Sequence, residues 1–197
     1  MKHLLVLCVT TTVLFSCAGE KEQPAAPADT EKTFSDEVRE QTVRNPNDAE
    51  AWYHLSDLYE RSGMYREEVN ALQKVIALDP KRGYAYLKLG NAYNRLAQYQ
   101  DAIKSYTIAI RSFPQNPVLR NNLAISYGKV GKTDEEIASL EKAISLRPRY
   151  STARYNLGMA LLKKGRRQEA LNQYRELDKF DAGIANALKI EIERKGK

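Results

Sequence analysis

Prolines stand at positions 46, 80, 114 and 148, each 34 residues from the next. A fixed period of that length marks a stack of equal units in which each buries its apolar face against its neighbours. Other residues keep the same interval. Counting 28 residues back from the last three prolines reaches Trp52, Tyr86 and Arg120, and counting 21 back reaches Tyr59, Tyr93 and Tyr127. In Ala85-Tyr86-Leu87-Lys88-Leu89-Gly90-Asn91-Ala92-Tyr93 the apolar groups recur at three- and four-residue steps, which predicts an amphipathic helix. A second helical run follows from Asp101 to Ile110. Gly63, Gly131 and Gly165 fall between the two runs in three units, where a residue that tolerates a left-handed backbone ends the first helix. Each period is therefore a helix hairpin, and the chain is expected to be all-α.

Trp52, Leu55, Tyr59 and Pro80, followed by Leu89, Gly90, Tyr93, Ala102, Tyr106, Ala109 and Pro114, resemble the tetratricopeptide repeat. The resemblance implies a right-handed superhelical stack of four hairpins at 49–82, 83–116, 117–150 and 151–182. Residues 34–48 read as an N-terminal half repeat, and 183–197 as a capping helix and tail whose amphipathic face holds Ile184, Ala187, Leu188 and Ile192. A stack needs such ends to keep its terminal apolar edges from water. Small residues at Gly90, Ala124, Gly158, Ala102 and Ala170 let helix axes approach closely. Glu68 and Glu136 occupy the places matching Ala102, and both are expected to reach solvent because a carboxylate buried alone is costly. Thr133 with Glu136 three residues later reads as a capping box at the start of a helix.

The first residues carry a different message. Lys2 and His3 precede an apolar run from Leu4 to Phe15, the order of a secretory signal. Twelve residues are too few for a bilayer, which needs about 20 in a helix. The run ends in Leu14-Phe15-Ser16-Cys17, which resembles the lipobox of bacterial lipoproteins, with Phe15 larger than usual at its place. The resemblance implies a signal peptide at 1–16, a diacylglyceryl group on the Cys17 thiol, cleavage before Cys17 and acylation (palmitate) of the new amine. Two or more acyl chains give a stable membrane anchor where one gives marginal binding. The alternative is a secreted protein cut near Ala18. Ala18 resembles lipoproteins sorted to the outer membrane, which implies a place in the cell envelope facing the periplasm where two membranes exist. From residue 17 to 33 the composition, with Pro24 and Pro27, is too poor in apolar bulk to order itself and reads as a disordered tether reaching roughly 20–25 Å.

The remaining composition narrows the chemistry. Lys and Arg number 31 against 25 Asp and Glu, a net +6 interspersed along the chain, with no clustered basic stripe for nucleic acid. Cys8 and Cys17 are the only cysteines, so there is no disulfide framework and no cysteine metal site. His54 is the only histidine beyond the signal and reads as a packing residue, which leaves neither a metal site nor a Ser/His or Cys/His nucleophile. Asp134-Glu135-Glu136 reads as helix-start acids favoured by the dipole. No phosphate loop or hydrolase motif is present. No catalytic residue, cofactor, metal or small-molecule substrate is expected, and the chain is not read as an enzyme.

In tetratricopeptide-like stacks the first helices line a concave face. The resemblance therefore implies a partner-binding groove of Tyr53, Asp57, Arg61, Tyr84, Leu87, Asn91, Arg95, Asn121, Asn122, Ile125, Lys129, Tyr155, Asn156, Met159 and Lys163. Twelve Tyr against 4 Phe and 1 Trp suit such a half-wet surface. Amides there suit a peptide backbone, Tyr and Met give adaptable apolar contact, and the basic row favours acidic partners. The function expected is a membrane-anchored interaction scaffold that helps assemble an envelope complex by binding peptides or helices of other proteins. The alternatives are a self-associating structural envelope protein and an enzyme with an unrecognised site.

Overall fold

The computed structural model describes residues 28–194, with side chains from residue 35 onward. The signal, the lipobox with Cys17 and the first part of the tether lie outside the described residues. Helix α1 (Ala28–Arg44) is followed by four hairpins: α2 (Ala49–Arg61) with α3 (Tyr65–Leu78), α4 (Gly83–Arg95) with α5 (Tyr99–Ser112), α6 (Pro117–Lys129) with α7 (Thr133–Leu146), and α8 (Ser151–Lys163) with α9 (Arg167–Asp178). Helix α10 (Ala182–Arg194) closes the series, and no strand occurs among the described residues. None of these helices is long and apolar enough to cross a membrane. Helix α1 begins at Ala28, so the backbone of 28–33, assigned to the tether from composition, is helical. Extending an existing helix costs far less than nucleating one, so a polar segment continuous with a packed helix can join it.

Each hairpin turns the same way. Gly63, Gly131 and Gly165 have φ of 70, 79 and 75°, and Ala97 takes the equivalent place in the second hairpin with φ 58°. The next residue's amide reaches back to close the turn: Met64 to Tyr59 at 2.9 Å, Gln98 to Tyr93 at 2.8 Å, Lys132 to Tyr127 at 3.0 Å and Arg166 to Leu161 at 2.9 Å. This six-to-one closure fixes the left-handed residue, which only glycine adopts without steric cost.

Two first helices are capped by side chains that local sequence supplies. Asp48 accepts from the amides of Glu50 and Ala51 at 2.9 and 3.3 Å, and Asn116 from those of Val118 and Leu119 at 3.0 and 3.1 Å. The capping box expected at Thr133 is absent. Lys132 precedes the helix without a side-chain cap, and the Thr133 hydroxyl donates instead to the Gly131 carbonyl at 3.5 Å. The turn ends at Gly131, which puts Thr133 one residue inside the helix, where its hydroxyl no longer faces the free amides.

Packing runs between successive helices, and first helices also touch first helices, α4 with α6 and α6 with α8, which places them on the inside of the curve. Small residues set these approaches. A Cβ added at Gly90 would lie 2.5 Å from Cε1 of Tyr106, and one at Gly158 would lie 2.6 Å from Cδ2 of Leu188. Tyr106, Leu72, Leu140, Leu177 and Leu188 form the centre of the apolar seams. Helix α10 packs on α8 and α9 through Ala185, Leu188 and Ile192, whereas Ala187, expected on its apolar face, is exposed. At the other end, Val38 of α1 is buried where α1 meets α2.

Candidate protein-binding face

The first helices carry the residues that line the concave face, and the register repeats every 34 residues along it. One row is Asp57, Asn91, Ile125 and Met159, and another is Arg61, Arg95, Lys129 and Lys163. The four basic residues of the second row are all exposed. Tyr84, Val118 and Ile125 also present apolar surface, at 58, 40 and 37% exposure. The Tyr84 ring leans on Phe113 with centroids 4.4 Å apart, an arrangement that holds the ring in place while leaving one face open.

At the N-terminal end the face is a charge network. Glu50 pairs with Arg82 at 2.6 Å, and the Arg82 guanidinium lies 4.3 Å from the centre of the Tyr53 ring. Lys88 bridges Asp57, at 2.6 Å, and Glu60. Burial would lower the Lys88 pKa, but its hydrogen bonds to Asp57 and Glu60 outweigh this and hold the ammonium above its ordinary value. Asp57, named from register as a binding residue, is therefore engaged within the fold. His54, read as a packing residue, is instead exposed beside Glu50 at 3.7 Å.

In the middle of the face the amides bond to one another. Tyr106 donates its hydroxyl to Asn91 Oδ1 at 2.8 Å and accepts from Asn94 Nδ2 at 3.0 Å. Asn122 donates to the same Asn91 oxygen at 3.3 Å, and the Ser126 hydroxyl donates to Asn94 Oδ1 at 2.9 Å. Farther along, Asn156 donates to Asn121 Oδ1 at 3.0 Å. The Tyr106 bonds join α4 to α5 within the second hairpin, whereas those from Asn122, Ser126 and Asn156 span repeats and fasten one first helix to the next. Asn121, placed in the groove by register, is 3% exposed and is a buried strut of the stack. Tyr155 and Asn156 are half-buried. Lys163 remains exposed, with its ammonium 3.3 Å from the Gly128 carbonyl and 3.9 Å from the Glu136 carboxylate.

A pocket of about 360 Å³ opens here, lined by Glu60, Tyr65, Glu68, Asn91, Ala92, Asn94, Arg95, Tyr106 and Asn122. Register gave Asn91, Arg95 and Asn122, but the other six lining residues escaped it. Glu68 corrects the expectation that it reaches solvent: it is 1% exposed, and its Oε1 has no hydrogen-bond partner. It stands on α3 in the first hairpin and is one of the residues that line the pocket. Burial, reinforced by the negative charge of Glu60, pushes its carboxyl up to about 7. Glu136, the equivalent residue two repeats on, keeps partial exposure and finds space over Gly128, whose added Cβ would meet Glu136 Oε1 at 2.5 Å. Burial raises its pKa too, against the pull of Lys163. No group of His, Cys, Asp and Glu able to hold a metal occurs among the described residues.

Sequence models of the tetratricopeptide repeat match residues 49–82, 71–104 and 121–185. No curated protein matches the chain. Among solved structures, MamA 41-end from Desulfovibrio magneticus RS-1 aligns with a TM-score of 0.73 at 19% identity, over 77% of this chain and 85% of that one. A crystal structure of MamA protein aligns at 0.72 with 26% identity, over 77% and 86%. YrrB, a TPR protein with an unusual peptide-binding site, aligns at 0.66 with 22% identity, over 81% and 85%. The 34-residue period, the glycine-ended hairpins, the stacked first helices and these matches agree, and the chain belongs to the tetratricopeptide-repeat family.

Proposed function

We propose that this protein is a membrane-tethered adaptor: an acylated Cys17 holds it in the cell envelope, and its concave face binds segments of other proteins during assembly of an envelope complex. The observation that carries the reading is the exposure of Tyr84, Val118 and Ile125 on the same inner face as the cationic row Arg61, Arg95, Lys129 and Lys163. Apolar anchors beside a row of one charge sign suit an amphipathic segment, since the apolar contact supplies affinity and the charges steer encounter and register. The fold supports a scaffold, because an open face built from neighbouring helices offers length and shape and no closed dry cleft of the kind catalysis uses. The anchor rests on the Leu14-Phe15-Ser16-Cys17 sequence and the apolar run before it.

A photo-crosslinking amino acid placed at Tyr84 or Ile125 in intact cells tests the binding face. Adducts with other envelope proteins are expected, and none from the same probe at Lys104, which is exposed on a second helix. Adducts with this protein alone would instead support a self-associating structural protein. Replacing Cys17 by Ala should release the folded protein from the membrane fraction; full retention of an intact C17A chain removes the anchor from the proposal.

A further inference from the structure

The pocket beside α4 is an incomplete electrostatic site. Glu68 and Tyr65 come from α3, Glu60 and the nearby Asp57 from α2, Lys88 and Arg95 from α4, and the Tyr106 hydroxyl from α5. Lys88 is taken by Asp57 and Glu60. The Tyr106 proton goes to Asn91, and the Asn122 amide also turns to Asn91. The Arg95 guanidinium lies over the Tyr65 ring, 5.9 Å from its centre, and no ion pair joins it to Glu68 among the described residues. With Glu68 ionised, three carboxylates therefore face two cations, and Glu68, which lines the pocket, has its Oε1 buried without a donor. A buried acceptor without a donor carries its full desolvation penalty, so a ligand that brings N–H groups and a positive charge gains most here.

Taking the concave face as the binding face, we propose that this pocket receives a guanidinium group from an arginine of the bound protein segment, with Glu68 Oε1 as its acceptor. A planar guanidinium offers several donors in a fixed fork and stacks on aromatic rings, which suits a pocket lined by the Glu68 carboxylate and by Tyr65. The exposed row of Arg61, Arg95, Lys129 and Lys163 selects acidic residues along the groove, so the pocket reads the opposite charge at one defined place. The segment recognised is acidic over most of its length with an arginine set into it near the first and second repeats.

The test uses the full chain and the arginine side-chain mimic n-butylguanidinium, with uncharged n-butylurea for comparison. Side-chain amide resonances of Asn94 and Asn122 report occupancy of the pocket. The guanidinium is expected to shift both saturably, and n-butylurea neither. Because the cation favours the ionised carboxylate and Glu68 titrates near 7, affinity should rise about tenfold between about pH 6 and pH 8. E68Q, which keeps shape and folding, should lose that pH dependence and bind several-fold more weakly near pH 8, whereas E136Q should behave as the unaltered protein. Equal binding to E68Q, equal binding of n-butylurea, or no shift in the unaltered protein overturns the inference. If crosslinks at Tyr84 and Ile125 persist while the guanidinium fails, the pocket assignment alone falls; loss of the crosslinks overturns the adaptor reading itself.

Discussion

Ala97 shows how a single residue departs from the plan of its own repeat. The three other hairpins turn on glycine, and Ala97 holds the same left-handed backbone with φ 58°. A left-handed conformation costs an alanine about 1–2 kcal/mol, part of which a glycine would give back in unfolded-chain entropy. Ala97→Gly is therefore expected to stabilise the protein by roughly 1 kcal/mol in urea unfolding, and Gly63→Ala to destabilise it by a similar amount. Glu68 departs in another way. Its folded pKa, near 7, lies above its ordinary value of 4.5, so the unfolded chain loses the proton first and stability falls as pH rises across that interval, then levels. The fall should amount to roughly 1–3 kcal/mol and be flattened in E68Q. Urea midpoints taken across this pH range would show it; the same slope in both proteins would mean that Glu68 is not the group responsible.

Among the elements, the spacing of helix axes is set by complementary sizes across each seam. Gly90 leaves room for Tyr106, which is 1% exposed and held at its hydroxyl by Asn91 and Asn94. The ring has no free direction in which to move, so Gly90→Ala should cost about 1–3 kcal/mol through overpacking. Gly128→Ala meets only the mobile end of Glu136 and should cost much less. Parallel thermal or urea unfolding of the two variants separates these outcomes, and equal losses would show that contact with Tyr106 is not what limits the approach of α4 and α5. The bonds between Asn91 and Asn122, and between Asn121 and Asn156, perform a related task between repeats. They restrain sliding of one first helix along the next, which keeps the rows of the concave face in line.

For the whole molecule, each hairpin touches its neighbours and little else, so a local defect should stay local. Helix α10 covers α8 and α9. Removing residues 182–197 should expose Leu157, Leu161 and Leu177 at the end of the last hairpin, lower amide-exchange protection in α8 and α9, and promote self-association. Protection in α2 to α5 should hold nearly unchanged. A uniform loss across all hairpins would instead mean that the stack folds as one cooperative body.

The sequence by itself determined the hairpins: the 34-residue proline interval, the apolar steps within each period and Gly63, Gly131 and Gly165 are local signals, and helix formation and termination are local events. It also gave rows of residues along the first helices, because register repeats with the period. The tertiary structure decided what those rows can do. Burial of Glu68, engagement of Asp57 by Lys88, the inward turn of Asn121 and the pocket around Tyr106 depend on how closely helices from different places in the chain approach. Those separations follow from side-chain volume summed across a seam, which no periodic pattern in one helix contains.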